Sequence, residues 1–236
     1  MVLRFIESVG ERTINFFSSS YEALFFSFTI LLNLLNPKSY NTQTQKNLIT
    51  KIYHSSIVII PHFIAIAFVF GSIIIGTLIL LATEYSMQDK IGSIIVTFVL
   101  NEFSAIFTVL FVTLRSSKKE VLQENALSSV LSGVVSVLTL SILFALVMIM
   151  SGYIFTFFFM GMDFHTFKYI IFTAIEIQNI VVLLFKSIVF GFIATVIPIY
   201  SATKNIKKNR NIAKILISIF FIEIISLLLL KVTNAI

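Results

Sequence analysis

The chain has 236 residues, of which 58% are hydrophobic and only 12% are charged, and its formal net charge is +6. Soluble domains carry about 25% charged residues, so a soluble protein this apolar could not cover its surface with polar groups. The composition therefore excludes an ordinary soluble domain, and the length is better interpreted as a number of membrane spans.

Several classes of function are disfavoured by what the sequence lacks. It contains no cysteine, which excludes disulfides, thiolate metal sites and cysteine nucleophiles. His54, His62 and His165 lie on different segments without ligand spacing, and no nucleotide-binding or hydrolase motif occurs. We therefore expect no metal, no cofactor and no enzymatic activity of the chain itself. An ATPase, if one is used, must be a separate subunit.

The N-terminal segment, residues 1–51, predicts a helix lying in the membrane interface followed by a polar connection. Charged residues interrupt apolar ones up to residue 35, and the apolar side chains recur at helical spacing. A true first span is the alternative interpretation. Residues 52–236 then form a predicted transmembrane domain.

Five longer apolar stretches predict transmembrane helices, since each can cross a hydrocarbon core about 30 Å thick. They are residues 56–83, 91–114, a segment within 127–159, 180–200 and 212–230. The amphipathic stretch 161–179 predicts an interfacial connection. The expected fold is an all-α integral membrane protein, with an N-terminal interfacial helix and about five transmembrane helices.

The basic residues cluster in connections between apolar stretches, which is typical of cytoplasmic loops rather than of a nucleic-acid-binding surface. The basic connections are residues 38–51, 115–119 and 204–214, whereas 84–90 and 161–179 carry one lysine each. This alternation predicts a multi-pass protein with a cytoplasmic N-terminus. We expect no nucleic-acid partner.

Three ionisable residues, Glu102, Lys186 and Glu223, lie inside predicted spans. A charged side chain at the bilayer centre costs roughly 2.5–3.5 kcal/mol on insertion scales, so each residue is a candidate for function. The alternative is a buried ion pair that fixes helix packing and adds little net stability.

Four stretches of the sequence resemble the MlaE/YrbE permease family. "LNEFSAIFTVLFVTLR" is similar to its signature, in which Arg-Glu-Leu-Gly-Pro precedes a Gly-Arg pair, with Glu102 and Arg115 at the matching interval. "FGSIIIGTLILLATEYS" resembles the family's first span, and "LFKSIVFGFIATVIPIYSA" resembles its fourth, with Lys186 on its lysine. "SVGERTINFF" resembles the opening of its interfacial helix.

The resemblance implies the permease subunit of an ABC transporter that moves phospholipid between the inner and outer membranes of a bacterium. It implies a location in the inner membrane and a homodimer, or a heterodimer with a paralogue. It further implies two cytoplasmic ATPase subunits and a periplasmic ring of MCE-domain proteins.

The family's lipid pocket lies at the dimer interface and is lined by the first, second and fifth spans. By this resemblance Glu102 and Asn101 are candidate polar lipid contacts, and Ile74, Leu78 and Phe103 are candidate acyl-chain contacts.

The sequence departs from the family pattern in several places, among them Ser104-Ala105 where the family has Gly-Pro and "LRSS" where it has Gly-Arg-x-Gly. Asn101 stands where the family has an arginine, so a basic contact is missing or moved. The segment that couples the permease to its ATPase is shorter than in the family. The residues expected to make this contact are Arg115, Lys118, Lys119, Glu120 and Glu124.

Two other functions remain open from the sequence. One is a secondary transporter or channel that relays ions or protons, which requires Glu102, Lys186 and Glu223 to converge at one depth. The other is a degenerate permease that only anchors an MCE ring, in which Glu102 would tolerate alanine.

Overall fold

The computed structural model of the chain describes residues 21–36, 42–87, 90–116, 126–203 and 215–226, and every regular element in these ranges is helical. The helices are α1 (Tyr21–Leu35), α2 (Thr42–Ser55), α3 (Ile60–Glu84), α4 (Ile91–Val96), α5 (Ser104–Ser116), α6 (Ala126–Met160), α7 (Phe164–Ala174), α8 (Ile177–Thr203) and α9 (Ile215–Ser226). A 3₁₀ turn, Ile57–Ile59, joins α2 to α3, and a π-helical segment, Thr97–Phe103, joins α4 to α5. The predicted all-α membrane fold is confirmed.

Four helical runs are long and apolar enough to cross a membrane, and they contain most of the first four predicted spans. These runs are Thr44–Glu84, Ile91–Thr113, Ala126–Met160 and Ile177–Ala202. The polar stretch predicted before the first span is already helical from Thr42. The shorter apolar helix α9 lies within the fifth predicted span. Three features stay predictions: the fifth span, the interfacial placement of residues 1–35 and the domain boundary after residue 51. Residues 1–20 lie outside the described ranges.

Helix α6 is the centre of the bundle and packs against α2, α3, α5 and α8. Glycines allow two of these neighbours to come close, because helix association in lipid depends on tight van der Waals packing. A Cβ atom on Gly71 of α3 would lie 2.5 Å from Met148 Cα, and one on Gly191 of α8 would lie 2.8 Å from Val134 Cα. The backbones of α3 and α8 therefore contact α6 where a larger residue would not fit.

Aromatic rings fill the space between α3, α5 and α6. Phe63 and Phe144 are fully buried, with ring centroids 5.2 Å apart. Phe107 stacks on Phe144 at 4.7 Å. This arrangement places the inner face of α5 against α6 and leaves another face of α5 for a different neighbour.

Helix α7 has a polar start outside the long apolar runs, as an interfacial connection requires. Asp163 Oδ2 accepts hydrogen bonds from the backbone N–H groups of His165 (3.0 Å) and Thr166 (3.2 Å). The Thr166 hydroxyl also donates to Asp163 Oδ1. These hydrogen bonds, that of the Thr166 side chain first, lower the pKa of Asp163 below its ordinary value because they stabilise the carboxylate.

We predict that Gly71→Ala destabilises the protein by about 1–3 kcal/mol, since the added methyl group meets the Met148 backbone of α6 as well as the Ser151 hydroxyl. The measurement is the thermal unfolding midpoint of purified protein in mild detergent. Ser72→Ala is the matched control, because Ser72 bonds only to the Phe68 carbonyl of its own helix in the described structure. An unchanged midpoint for Gly71→Ala would contradict the packing.

Candidate functional site

The span formed by α4 and α5 is interrupted at its centre by the π-helical segment Thr97–Phe103. The Ser104 N–H donates to the Val99 carbonyl, five residues back, and the Ser104 hydroxyl donates to the same oxygen at 2.5 Å. Such wide turns are rare and often lie at functional sites. Asn101 and Glu102 both lie in this segment.

Lys186 of α8 brings three elements together through its ammonium group. Nζ donates to Glu102 Oε2 (3.1 Å), to Glu223 Oε1 on α9 (2.6 Å) and to the main-chain oxygen of Asn101 (2.7 Å). Only 1% of Lys186 is exposed. An ammonium group has three N–H donors, so all of the donors of Lys186 are used.

Two carboxylates share this one ammonium, so the cluster of Glu102, Lys186 and Glu223 has a net charge of −1 when both are ionised. The side chain of Glu102 is 21% exposed, and that of Glu223 is 10% exposed. Among the described residues, three buried oxygens in this neighbourhood have no hydrogen-bond donor: Asn101 Oδ1, Glu102 Oε1 and Glu223 Oε2. Buried polar atoms are normally paired, so these acceptors need an explanation.

The amide of Asn101 has a defined orientation. Asn101 Nδ2 donates to Asn179 Oδ1 at 2.9 Å, and Asn179 Nδ2 donates to the carbonyl of Ala174 at 3.4 Å. Because the Ala174 carbonyl can only accept, Asn179 must present its oxygen to Asn101. Asn101 must then present its amide nitrogen to Asn179, which leaves Oδ1 as the atom without a donor.

A groove of about 440 Å³ lies between α5 and α9, with Glu223 as its acidic lining residue. This volume is within the range of small-molecule sites. Its six apolar lining residues are Ile106, Leu110, Leu216, Ile217, Ile219 and Phe220. One side of the groove is open, since Ile217 and Phe220 are each 68% exposed. An apolar groove with a carboxylate in its wall suits an amphiphilic ligand.

The predicted lipid contacts divide into two groups in the structure. Asn101 and Glu102 lie beside Lys186, whereas Phe103 packs among aromatic rings, with Phe107 at 5.7 Å. Ile74 and Leu78 are half-buried on α3 against the main core and do not line the groove. Their roles as acyl contacts stay predictions.

The predicted ATPase contacts cannot be placed as a group. Arg115 lies in the last turn of α5. The other four, Lys118, Lys119, Glu120 and Glu124, lie outside the described residues.

The groove residues and Asn179 were not identified from the sequence. Helical spacing contains part of the signal, because Ile106 and Leu110 follow Glu102 at intervals of four residues. Ile219 lies four residues before Glu223, and Leu216 lies seven residues before it. Apolar residues at helical spacing from Glu102 and Glu223 therefore indicate part of the groove lining.

The architecture defines a multi-pass helical membrane protein with a charged cluster beside an apolar groove. A family model described as "Permease MlaE" matches residues 122–236, about half of the chain, including Lys186 and Glu223. A search of curated proteins finds no match.

The chain therefore belongs to the MlaE permease family and is a membrane subunit of ABC-transporter type. The family predicted from the sequence is confirmed. The resemblance over residues 184–202 falls inside the matched segment, whereas the stretch around Glu102 precedes it.

We predict that Lys186→Met destabilises the protein by about 3–5 kcal/mol, because it leaves two carboxylates without their buried cation. Combining it with Glu102→Gln and Glu223→Gln should recover much of this loss, since neutral amides cost less to bury. The readout is the thermal unfolding midpoint in detergent.

Lys168→Met on α7 is the control, because it makes the same replacement of lysine by methionine at an exposed position. Equal stability of Lys186→Met and the parent protein would show that the ammonium is not required by the two carboxylates.

Proposed function

We propose that this permease moves phospholipid between the inner and outer membranes of a bacterium. The observation that carries the proposal is the groove between α5 and α9, which is apolar along its length and includes Glu223 of the charged cluster. Acyl chains require an apolar path, and a polar head group requires hydrogen-bonding partners at one end of it. Family membership supports this choice of cargo.

The functional unit we propose is a dimer of this chain, or a heterodimer with a paralogue, in the inner membrane with the N-terminus in the cytoplasm. The exposed apolar faces of α9 and α3 support a further covering by lipid or protein: Phe220 is 68% exposed and Ile73 is 60% exposed. In such a dimer, Ile74, Leu78 and Phe103 would contact the acyl chains from outside the groove between α5 and α9.

The driving force would come from a separate cytoplasmic ATPase that docks on the segment after α5. Arg115, Lys118, Lys119, Glu120 and Glu124 are the proposed contacts. Helix α5 has 13 residues and is therefore about 20 Å long. A push on its cytoplasmic end would move the groove residues Ile106 and Leu110 directly, because both lie on this helix.

The external partner we propose is a ring of MCE-domain proteins in the periplasm. The lipid would pass between the groove and the tunnel of that ring when the dimer interface narrows.

We predict that the complex can be isolated intact from the organism's own membranes in mild detergent. Native mass spectrometry should show two permeases, two ATPases, an MCE-protein ring and bound phospholipid. A particle without ATPase or MCE protein, under conditions that preserve a known complex of this kind, would contradict the proposed partners.

We predict that Glu102→Ala lowers ATP-driven phospholipid transfer by about tenfold while the complex still assembles, because one charge-assisted hydrogen bond at the site is lost. Transfer is measured from proteoliposomes that contain the complex to acceptor vesicles. Glu84→Ala, at the exposed end of α3, is the control. Loss of assembly in Glu102→Ala would make this residue a packing residue, and full transport would favour the scaffold role.

A second candidate function has one observation in its favour. Glu102, Lys186 and Glu223 do converge, which is the condition for an ion- or proton-coupled carrier. Transport that follows an imposed pH gradient without ATP would support that function over the ABC-driven one.

A further inference from the structure

The hydrogen-bonding groups of the charged cluster are unevenly used. Lys186 donates all three N–H groups to protein oxygens, so it has none to offer a ligand. Among Asn101 and the three residues of the cluster, the buried atoms without partners are all acceptors: Asn101 Oδ1, Glu102 Oε1 and Glu223 Oε2. With both carboxylates ionised, a ligand that completes this site would donate hydrogen bonds rather than accept them.

The amide orientation strengthens this conclusion. The contact from Asn179, itself oriented by the Ala174 carbonyl, fixes Asn101 with its oxygen unused. Asn101 is neutral and one of its two N–H groups already donates to Asn179, so it offers a phosphate group neither the charge nor the paired donors of an arginine.

The charge of the cluster also favours a cationic group over a phosphate group. When both carboxylates are ionised, they leave one excess negative charge beside a single ammonium, in a site where burial makes electrostatic interactions stronger than in water. Lys186 is the one cation that the described residues bring to these carboxylates. A phosphate group placed here would meet like charge, whereas a cationic group would neutralise it.

Of the three residues with unpartnered oxygens, Glu223 is the one that lines the groove between α5 and α9, and all three oxygen atoms are themselves buried. Glu223 is 8% exposed and lines this groove, so its unpartnered oxygen belongs to a side chain that faces the apolar path. The Glu102 side chain keeps 21% exposure. A ligand lying in the groove with its chain along Leu110 and Leu216 would present its polar end to the Glu223 side of the cluster.

We propose that the charged cluster selects an amphiphile whose head group carries a primary ammonium, such as the ethanolamine head group, over anionic and quaternary-ammonium lipids. This inference rests on the proposed function in taking phospholipid as the cargo, and it adds the class of head group. A primary ammonium has three N–H donors and a positive charge, which matches both the unused acceptors and the excess charge. A choline head group supplies the charge without N–H donors, and a glycerol head group leaves the phosphate charge uncompensated.

The test offers the purified complex an equimolar mixture of phosphatidylethanolamine, phosphatidylcholine and phosphatidylglycerol in detergent micelles. Native mass spectrometry then measures which lipids remain bound. We expect phosphatidylethanolamine to exceed each of the others by about tenfold relative to the mixture, since charge-assisted hydrogen bonds are at stake.

Variants then assign the preference to the site. Glu223→Gln should bring the bound composition back towards that of the mixture, while Glu84→Gln should not. Leu110→Trp should fill the groove and lower total bound lipid, whereas Leu146→Trp, on an exposed face of α6, should leave it unchanged.

The outcomes separate the two proposals. Bound phospholipid without a head-group preference, or a preference for phosphatidylglycerol, overturns the inference and leaves the proposed function intact. Equal binding of phosphatidylethanolamine and phosphatidylcholine shows that charge alone is read, which also overturns it. No bound phospholipid at all overturns both. The ranking obtained with the unmodified protein decides the inference even if a variant fails to fold.

Discussion

The ammonium of Lys186 is the interaction on which the candidate site depends. It connects α8 to the π-helical segment 84 residues earlier and to α9, which lies 37 residues later. A buried ammonium in a membrane protein must have its partners within the protein, because hydrocarbon offers none. The rotation of α8, the position of Glu102 and the depth of α9 are therefore mutually constrained. This constraint explains why a charged residue is present in a helix that is otherwise apolar.

The π-helical segment has a definite part in that arrangement. Relative to an uninterrupted α-helix, one additional residue in a turn shifts the following side chains by about 100° around the axis. Asn101 can present its carbonyl oxygen, and Glu102 its carboxylate, to the same ammonium group. The aromatic residues that follow still pack on α6, with Phe107 against Phe144. The wide turn thus lets one span serve both the polar cluster and the apolar core.

Hydropathy was sufficient to predict the first four spans and the helical class, because long apolar runs can satisfy their backbone in a membrane only as helices. It also identified Glu102, Lys186 and Glu223 as residues at membrane depth. It could not predict that they meet, since their meeting depends on how α8 and α9 pack against the second span. The π-helical segment has no composition signal of its own. Ile74 and Leu78 came from family resemblance rather than from contacts, and the groove residues required the pairing of α5 with α9 to be known.

The site also changes what the Asn101 departure means. Considered alone, replacing the family's arginine with asparagine suggests a weakened head-group contact. In the structure, the asparagine instead anchors to Asn179 and donates nothing to the groove, while its carbonyl supports Lys186. The lysine is fully occupied by protein acceptors, and the buried atoms left without partners beside it are acceptors. In the head-group site that we propose, the asparagine therefore adds an unpartnered amide oxygen beside the two carboxylates instead of a cation.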